Sequence, residues 1–279
     1  MFDAIALDDR GAIALSGEDA ISFLHNLVTN DIRSLAANEA RFAALLTPQG
    51  KIVSDFLVFL DRGAKGDRLL LDCPRAPIED LIARLNRYRL RAKMEVENLS
   101  NSVISLAYFV DDKPQDESIV VARDPRSPQL GWRALAPKGA IDARGPRSDY
   151  EARRIALAVP DGRLDFTYGD AYPHEANMDR LNGLDFEKGC YVGQEVVARM
   201  QHRTQTRKRV TLYRSAEDAP PAGSTVSIGG ADIGATGSHV ARSGLALIRL
   251  DRLREAVARG EKAHAAGVAL EFADPTDGA

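Results

Sequence analysis

Between Arg209 and Leu250 the chain strings together four short β-prone runs, RVTLYR, STVSIGG, DIGATGSHV and LALIRL, at regular spacing and parted by glycine-rich turns. Strands this short leave little edge to spare, and a small sheet that closes on itself removes the edges altogether. The pattern predicts a C-terminal β-barrel over residues 209–279, with the breaker AGSTV after Pro220 and Pro221 before its second run. Gly229, Gly230, Gly234 and Gly237 lie between β runs and open no helix, so they read as hairpin turns rather than as a phosphate loop.

Upstream, the period changes. In GEDAISFLHNLVTNDI, residues 17–32, Ile21, Leu24, Leu27 and Val28 fall on one helical face, with Ser16 as the expected cap. FAALLTPQGKIVSDFLVFL, residues 42–60, is two apolar runs around Thr47-Pro48-Gln49-Gly50, which predicts a β-hairpin. A strand over Arg68 to Asp72 precedes a second helix carrying Ile78, Leu81, Ile82, Leu85 and Tyr88 at helical spacing. The runs VISLAYFV and SIVVA read as strands, DDKPQDE and RDPRSPQLG as exposed loops, and DYEARRIALAV as a helix stopped by Pro160. The fold class is therefore α+β.

An apolar content of 44% in 279 residues is ample for a core, and 37 basic against 40 acidic residues argue against a surface wholly committed to nucleic acid or anionic membrane. The N-terminus lacks a secretory pattern, and no run approaches the roughly 20 apolar residues of a membrane span. Together these predict a cytoplasmic protein with no membrane contact, taken as a monomer because no heptad seam stands out. The final ADPTDGA reads as disordered. The only two cysteines, Cys73 and Cys190, are expected as free thiols, and the five histidines show no metal-ligand spacing. Two thiols cannot hold a conventional iron-sulfur cluster, which wants about four.

Several residues could carry chemistry. Cys190 follows Lys188-Gly189 and precedes Tyr191-Val192-Gly193 and a helix predicted over Gln194 to Gln201, so a lysine and a helix start both favour its thiolate. Asp55, in the apolar strand KIVSDFLVF, needs a partner, either an arginine or backbone amide or the N–H pair of a heterocycle. HEANMDRLNGLDFEKG places Glu175, Asn177, Asp179 and Arg180 in a segment that lines a pocket or forms a solvated turn. From Val196 to Ala216, Arg199, Arg203, Arg207, Lys208, Arg209 and Arg214 stand with no acidic residue. That asymmetry suits a solvated helix face equally with contact to polyglutamate, RNA or an acidic partner.

KGCYVGQE, Lys188 to Glu195, resembles the K-G-C-Y-x-G-Q-E motif of the YgfZ family, and LSGEDAISFLHNLVTNDI, LLTPQGKIVSDFLVF and HEANMDRLNGLDFEKG are similar to further family segments in order. The motif residues are Lys188, Gly189, Cys190, Tyr191, Gly193, Gln194 and Glu195. That family is similar to the T-protein of glycine cleavage. The resemblance implies a ring of three subdomains, two of them intertwined in residues 1–208 with the inserted one at roughly 55–140, and the barrel as the third. It implies tetrahydrofolate or another reduced folate as cofactor, with Asp55, Glu175, Asn177 and Tyr191 as ligand-lining residues and Cys190 and Lys188 as the reactive pair. It further implies assembly or repair of 4Fe-4S clusters in client enzymes, with iron-sulfur client or scaffold proteins as partners and an indirect effect on tRNA modification. No resident metal is implied, Cys190 being a transient cluster ligand. Ser54-Asp55 stands where T-proteins tend to have an Asp-Asp pair, which sets folate-dependent aminomethyl transfer as the alternative. RNA contact through Arg199, Arg203, Arg207, Lys208 and Arg209 completes the expectations.

Overall fold

The computed structural model describes residues 4–63, 66–116, 119–202 and 206–273. The chain divides into two compact units, the first comprising Met1–Arg147 with Leu181–Gln194 and the second Ser148–Arg180 with Glu195–Ala279. The terminal segment expected to be disordered lies outside the described residues from position 274 onward.

The first unit holds β1 (Ile5–Ala6), β2 (Arg10–Ser16), α1 (Ala20–Leu27), β3 (Ala40–Leu46), β4 (Ile52–Gly63), β5 (Gly66–Pro74), α2 (Ile78–Arg89), β6 (Glu95–Asn98), β7 (Val103–Tyr108), β8 (Val120–Arg123) and β9 (Trp132–Pro137). They form an antiparallel five-stranded sheet, β3-β4-β5-β2-β6, and a four-stranded one, β1-β7-β9-β8. The predicted hairpin is β3-β4, joined through Thr47 to Gly50. On one face of the larger sheet, alternate residues such as Ile13, Leu45, Phe56, Val58, Leu69 and Leu71 pack with Leu24 of α1, with Val28 at its C-terminal end and with Ile78, Leu81 and Leu85 of α2. Each such side chain removed from water contributes about 1.5–3 kcal/mol. Two-residue alternation thus meets three-and-four spacing across one apolar layer.

The opposite face is ionic at its centre. Asp72, fully buried, takes Arg10 Nε at 2.7 Å and Ser105 Oγ at 2.9 Å, and also binds Arg133 of β9. One carboxylate thereby ties the two sheets together. Burial alone would raise the Asp72 pKa, but the charges of Arg10 and Arg133 outweigh it and bring it down to about 2.

Three expectations are corrected. Ser16 closes β2 opposite Arg68 and caps nothing; Asp19 occupies the helix start, and its carboxylate accepts the Lys93 N–H. The loop around RDPRSPQLG is not wholly exposed, because Asp124 and Arg126 are buried as a fork-to-fork pair at 2.7 and 2.9 Å. Gly234 and Gly237 lie inside a strand of the barrel, where a side chain would meet Leu247 and Asp165, and only Gly229 and Gly230 form a turn.

The second unit opens with α3 (Arg147–Ala156), continues through α4 (Gln194–His202), and ends in β10 (Lys208–Ser215), β11 (Thr225–Ile228), β12 (Ala231–Val240), β13 (Ser243–Arg249), α5 (Leu250–Ala258), β14 (Ala263–Ala265) and β15 (Val268–Phe272). The six strands close as β10-β13-β12-β11-β14-β15, as the spacing of short runs predicted for a C-terminal barrel. Tyr213, Val226, Ile233, Ile248 and Leu270 fill it together with Leu250 and Leu253 of α5. Buried Arg154 of α3 bonds Asp165 at 3.0 Å and Ser238 of β12 at 2.7 Å, while the other Asp165 oxygen accepts the Ser238 N–H. The helix is fastened to the barrel by this shared carboxylate.

Candidate functional site

Cys190 sits in an irregular loop of the first unit with its side chain exposed, four residues before α4, which begins at Gln194 as the sequence predicted. The loop is shaped locally. Asp185 Oδ1 accepts the N–H groups of Glu187 and Lys188 at 2.8 and 3.1 Å, which curls the chain toward the cysteine. Gly189 and Gly193 both adopt positive φ, +99° and +82°, for different reasons. At Gly189 the turn alone requires it. At Gly193 a Cβ would lie 2.6 Å from the Thr47 carbonyl oxygen and 3.0 Å from Gly50 Cα, so the motif glycine lets the loop rest on the β3-β4 turn.

Lys188 is half-buried, and its Nζ donates to the His25 carbonyl at 2.5 Å and lies 5.1 Å from the centre of the Tyr191 ring. Burial pulls its pKa down; Asp185, Asp31 and Cys190 oppose that, and Arg33 adds to it. The ammonium is therefore within electrostatic reach of the thiol while being anchored to a backbone oxygen. Tyr191 is buried, its hydroxyl has no hydrogen-bond partner among the described residues, and burial with the charge of Asp185 pushes its pKa up to about 12. It remains a neutral O–H donor.

The residues that hold this loop were not singled out from the sequence. Thr29 Oγ1 donates to the Gly183 carbonyl at 2.7 Å and accepts the Ala44 N–H at 2.9 Å; Asn30 Nδ2 bridges the carbonyls of Asn182 and Phe42 at 2.7 and 2.8 Å. Asp185 N–H completes the clamp on the Thr29 carbonyl at 2.9 Å. The signal available was the polar triplet Thr29-Asn30-Asp31 closing an otherwise apolar helix.

Asp55 is buried on β4 opposite Ala44, on the same sheet face as Asp72, and its charge acts on the thiol of Cys73. Glu175 and Asn177 belong to the second unit. Asn177, at φ +61°, has both amide hydrogens on the carbonyls of Ala158 and Val210 at 3.0 Å, and its oxygen accepts from Arg209 at 3.1 Å. Its amide serves the fold, against the expectation that it lines a ligand. Glu175 accepts the Tyr172 N–H at 2.9 Å through one carboxylate oxygen and faces a cleft.

That cleft, about 1390 Å³, lies between α4 and α5 and is lined by Arg199, Met200, Arg207, Lys208, Arg249 and Arg252 together with Glu175, Asp251 and Glu255. Arg199 pairs with Glu195 at 2.8 Å. Arg209 is corrected as a surface contact: it is buried and forks onto Asp179 with two bonds of 2.8 Å. Arg203 lies outside the described residues. Among the described residues, no group of three or more His, Cys, Asp or Glu side chains is placed to hold a metal ion. No helix among them is long and apolar enough to cross a membrane.

The comparisons with known proteins follow this geometry. Residues 207–277 match the family described as the CAF17 C-terminal beta-barrel domain. The chain is 33% identical to the mitochondrial iron-sulfur cluster assembly factor IBA57 homolog of Pyricularia oryzae, over 93% of this chain and 75% of the relative. It is 29% identical to mitochondrial IBA57 of Homo sapiens, over 89% of this chain and 78% of that one. Glycine cleavage system aminomethyltransferase T from Bartonella henselae superposes with a TM-score of 0.74 at 15% identity, covering 99% of this chain and 86% of that one. The chain thus has the aminomethyltransferase T fold with a C-terminal six-stranded barrel. The relatives are mitochondrial by name, which overturns the cytoplasmic placement. Absence of a secretory pattern cannot tell one reducing compartment from another.

Proposed function

This chain belongs to the IBA57 family of iron-sulfur cluster assembly factors, within the superfamily that also holds YgfZ, and from that membership we propose that it assists assembly or repair of 4Fe-4S clusters in client proteins. The observation that carries the reading is Cys190: an exposed thiol on a loop braced from both ends, with Lys188 two residues before it in the chain. A thiolate so placed can ligate iron while its proton goes to solvent, and with two cysteines in the chain the remaining ligands come from a partner. Effects on tRNA modification follow indirectly, through clients. The test is transfer of a cluster to an apo-client, followed by its visible absorption. Cys190→Ala should abolish or severely slow the transfer, and a wild-type rate would remove the thiol from the mechanism.

A reduced folate such as tetrahydrofolate is the proposed cofactor. In the first unit the buried carboxylate of Asp55 and the unpartnered hydroxyl of Tyr191 suit it, the one accepting N–H bonds and the other donating. In the second unit Glu175 commits one carboxylate oxygen to the Tyr172 N–H, and the amide of Asn177 is taken up by the fold and does not suit a ligand role. When bound, folate would supply one-carbon chemistry. Anaerobic calorimetry on wild type, Asp55→Ala and Cys190→Ala separates the parts: binding should fall with Asp55 and persist without Cys190. The aminomethyltransferase fold keeps one-carbon transfer as the second reading, recognisable by turnover that depends on Asp55.

A further inference from the structure

We propose that the cleft between α4 and α5 of the second unit is a docking groove for an acidic peptide segment of a protein partner. The inference goes beyond the cluster-assembly reading and depends on neither Cys190 nor a folate.

Charge accounting within the cleft points to this occupant. Arg199, Arg249 and Arg252 are matched by Glu195, Asp251 and Glu255, at 2.8, 2.7 and 3.8 Å. Arg207 and Lys208 are not; neither has an ion-pair partner among the described residues, and Arg207 is exposed. They are adjacent in sequence at the entry to β10 and both border the open volume. A guanidinium accepts a carboxylate in a planar two-bond fork, and arginine is enriched in protein interfaces, whereas an ammonium adds a point charge.

The size and the mixture of charges decide between classes. Drug-sized ligands occupy about 300–1,000 Å³, and at about 1390 Å³ the groove has room for an extended chain. Nucleic acid would bring a phosphate at every nucleotide past the carboxylate of Glu175, which repels it, and past arginines already paired with Glu195, Asp251 and Glu255. A peptide can alternate, setting carboxylates against Arg207 and Lys208 and apolar side chains against Val196, Met200 and Tyr172 on the same lining. The burial of Arg209 points the same way, since it takes one cation out of the stripe that an RNA backbone would follow.

The experiment uses the full chain and a fluorescently labelled alternating Glu-Ala peptide, read by anisotropy at low and at physiological ionic strength. Wild type should bind, with affinity falling as salt rises, and Arg207→Glu with Lys208→Glu should weaken binding at least about tenfold, or 1.4 kcal/mol. Arg207→Gln with Lys208→Gln should give an intermediate loss, and melting curves verify that both variants are folded. The proposal is overturned if the peptide fails to bind at low salt, or if both variants bind it as wild type does. It is equally overturned if a single-stranded RNA of similar length binds more tightly than the peptide, which would make the cleft a nucleic-acid site.

Discussion

The two cysteines of the first unit occupy opposite surroundings. Cys73 ends β5 inside the apolar layer, fully buried, with Asp72 and Asp55 acting on it; burial above all pushes its thiol up to about 12, against the pull of Arg10. Cys190 stands on a loop, exposed, with a lysine as its charged neighbour. One sulfur packs and the other is open to solvent, and it is burial that separates them.

The sharpest test of that contrast is alkylation of the folded protein. Iodoacetamide should modify Cys190 far faster than Cys73, because Cys190 is exposed whereas Cys73 is buried with its thiol pushed up to about 12. Mass spectrometry of the labelled peptides reads it directly, and comparable labelling of Cys73 before unfolding would break the comparison. Next in size is the buried side. Asp72→Asn removes the buried carboxylate charge shared by Arg10 and Arg133 and should cost about 3–5 kcal/mol by urea denaturation, with no change in Cys190 labelling.

On the exposed side, Gly193→Ala adds a strained φ and a clash with the Thr47 carbonyl, for about 2–3 kcal/mol. Gly189→Ala, with open space around it, should cost about 1 kcal/mol. If both glycines cost the same, the loop does not rest on the hairpin turn. The pH dependence follows from Asp72. Its folded pKa lies below the ordinary 3.8, so its contribution is complete above 3.8 and disappears as pH falls to about 2. The amount is about 2 kcal/mol, and it should vanish from the melting curves of Asp72→Asn. Smallest is Lys188→Met, which should slow Cys190 alkylation slightly, an effect that salt diminishes.

What could be read in the sequence was whatever is local. The β3-β4 hairpin follows from alternation around Pro48 and Gly50, and α2 from the spacing of Ile78, Leu81 and Leu85. The barrel was legible in β10 to β13, but the two strands that complete it were not: Ala263–Ala265 and Val268–Phe272 are short, and the Leu250–Ala258 helix before them shows no β signature. Long-range partners were invisible. Nothing near Asn177 announces that it holds Ala158 and Val210, and nothing near Thr29 announces Gly183. Asp124 and Arg126 read as solvated because a pair two residues apart looks the same whether water or protein surrounds it.

The return of residues 181–194 to the first unit has a consequence for the order in which the protein is made. A ribosome releases the strands of both sheets, then the segment 148–180 that belongs to the other unit, and only afterwards the stretch that Thr29 and Asn30 bind. Until then the polar ends of those two side chains wait in a partly assembled sheet. Cys190 therefore reaches its braced position late in synthesis, and any fragment ending near Arg147 lacks this thiol altogether.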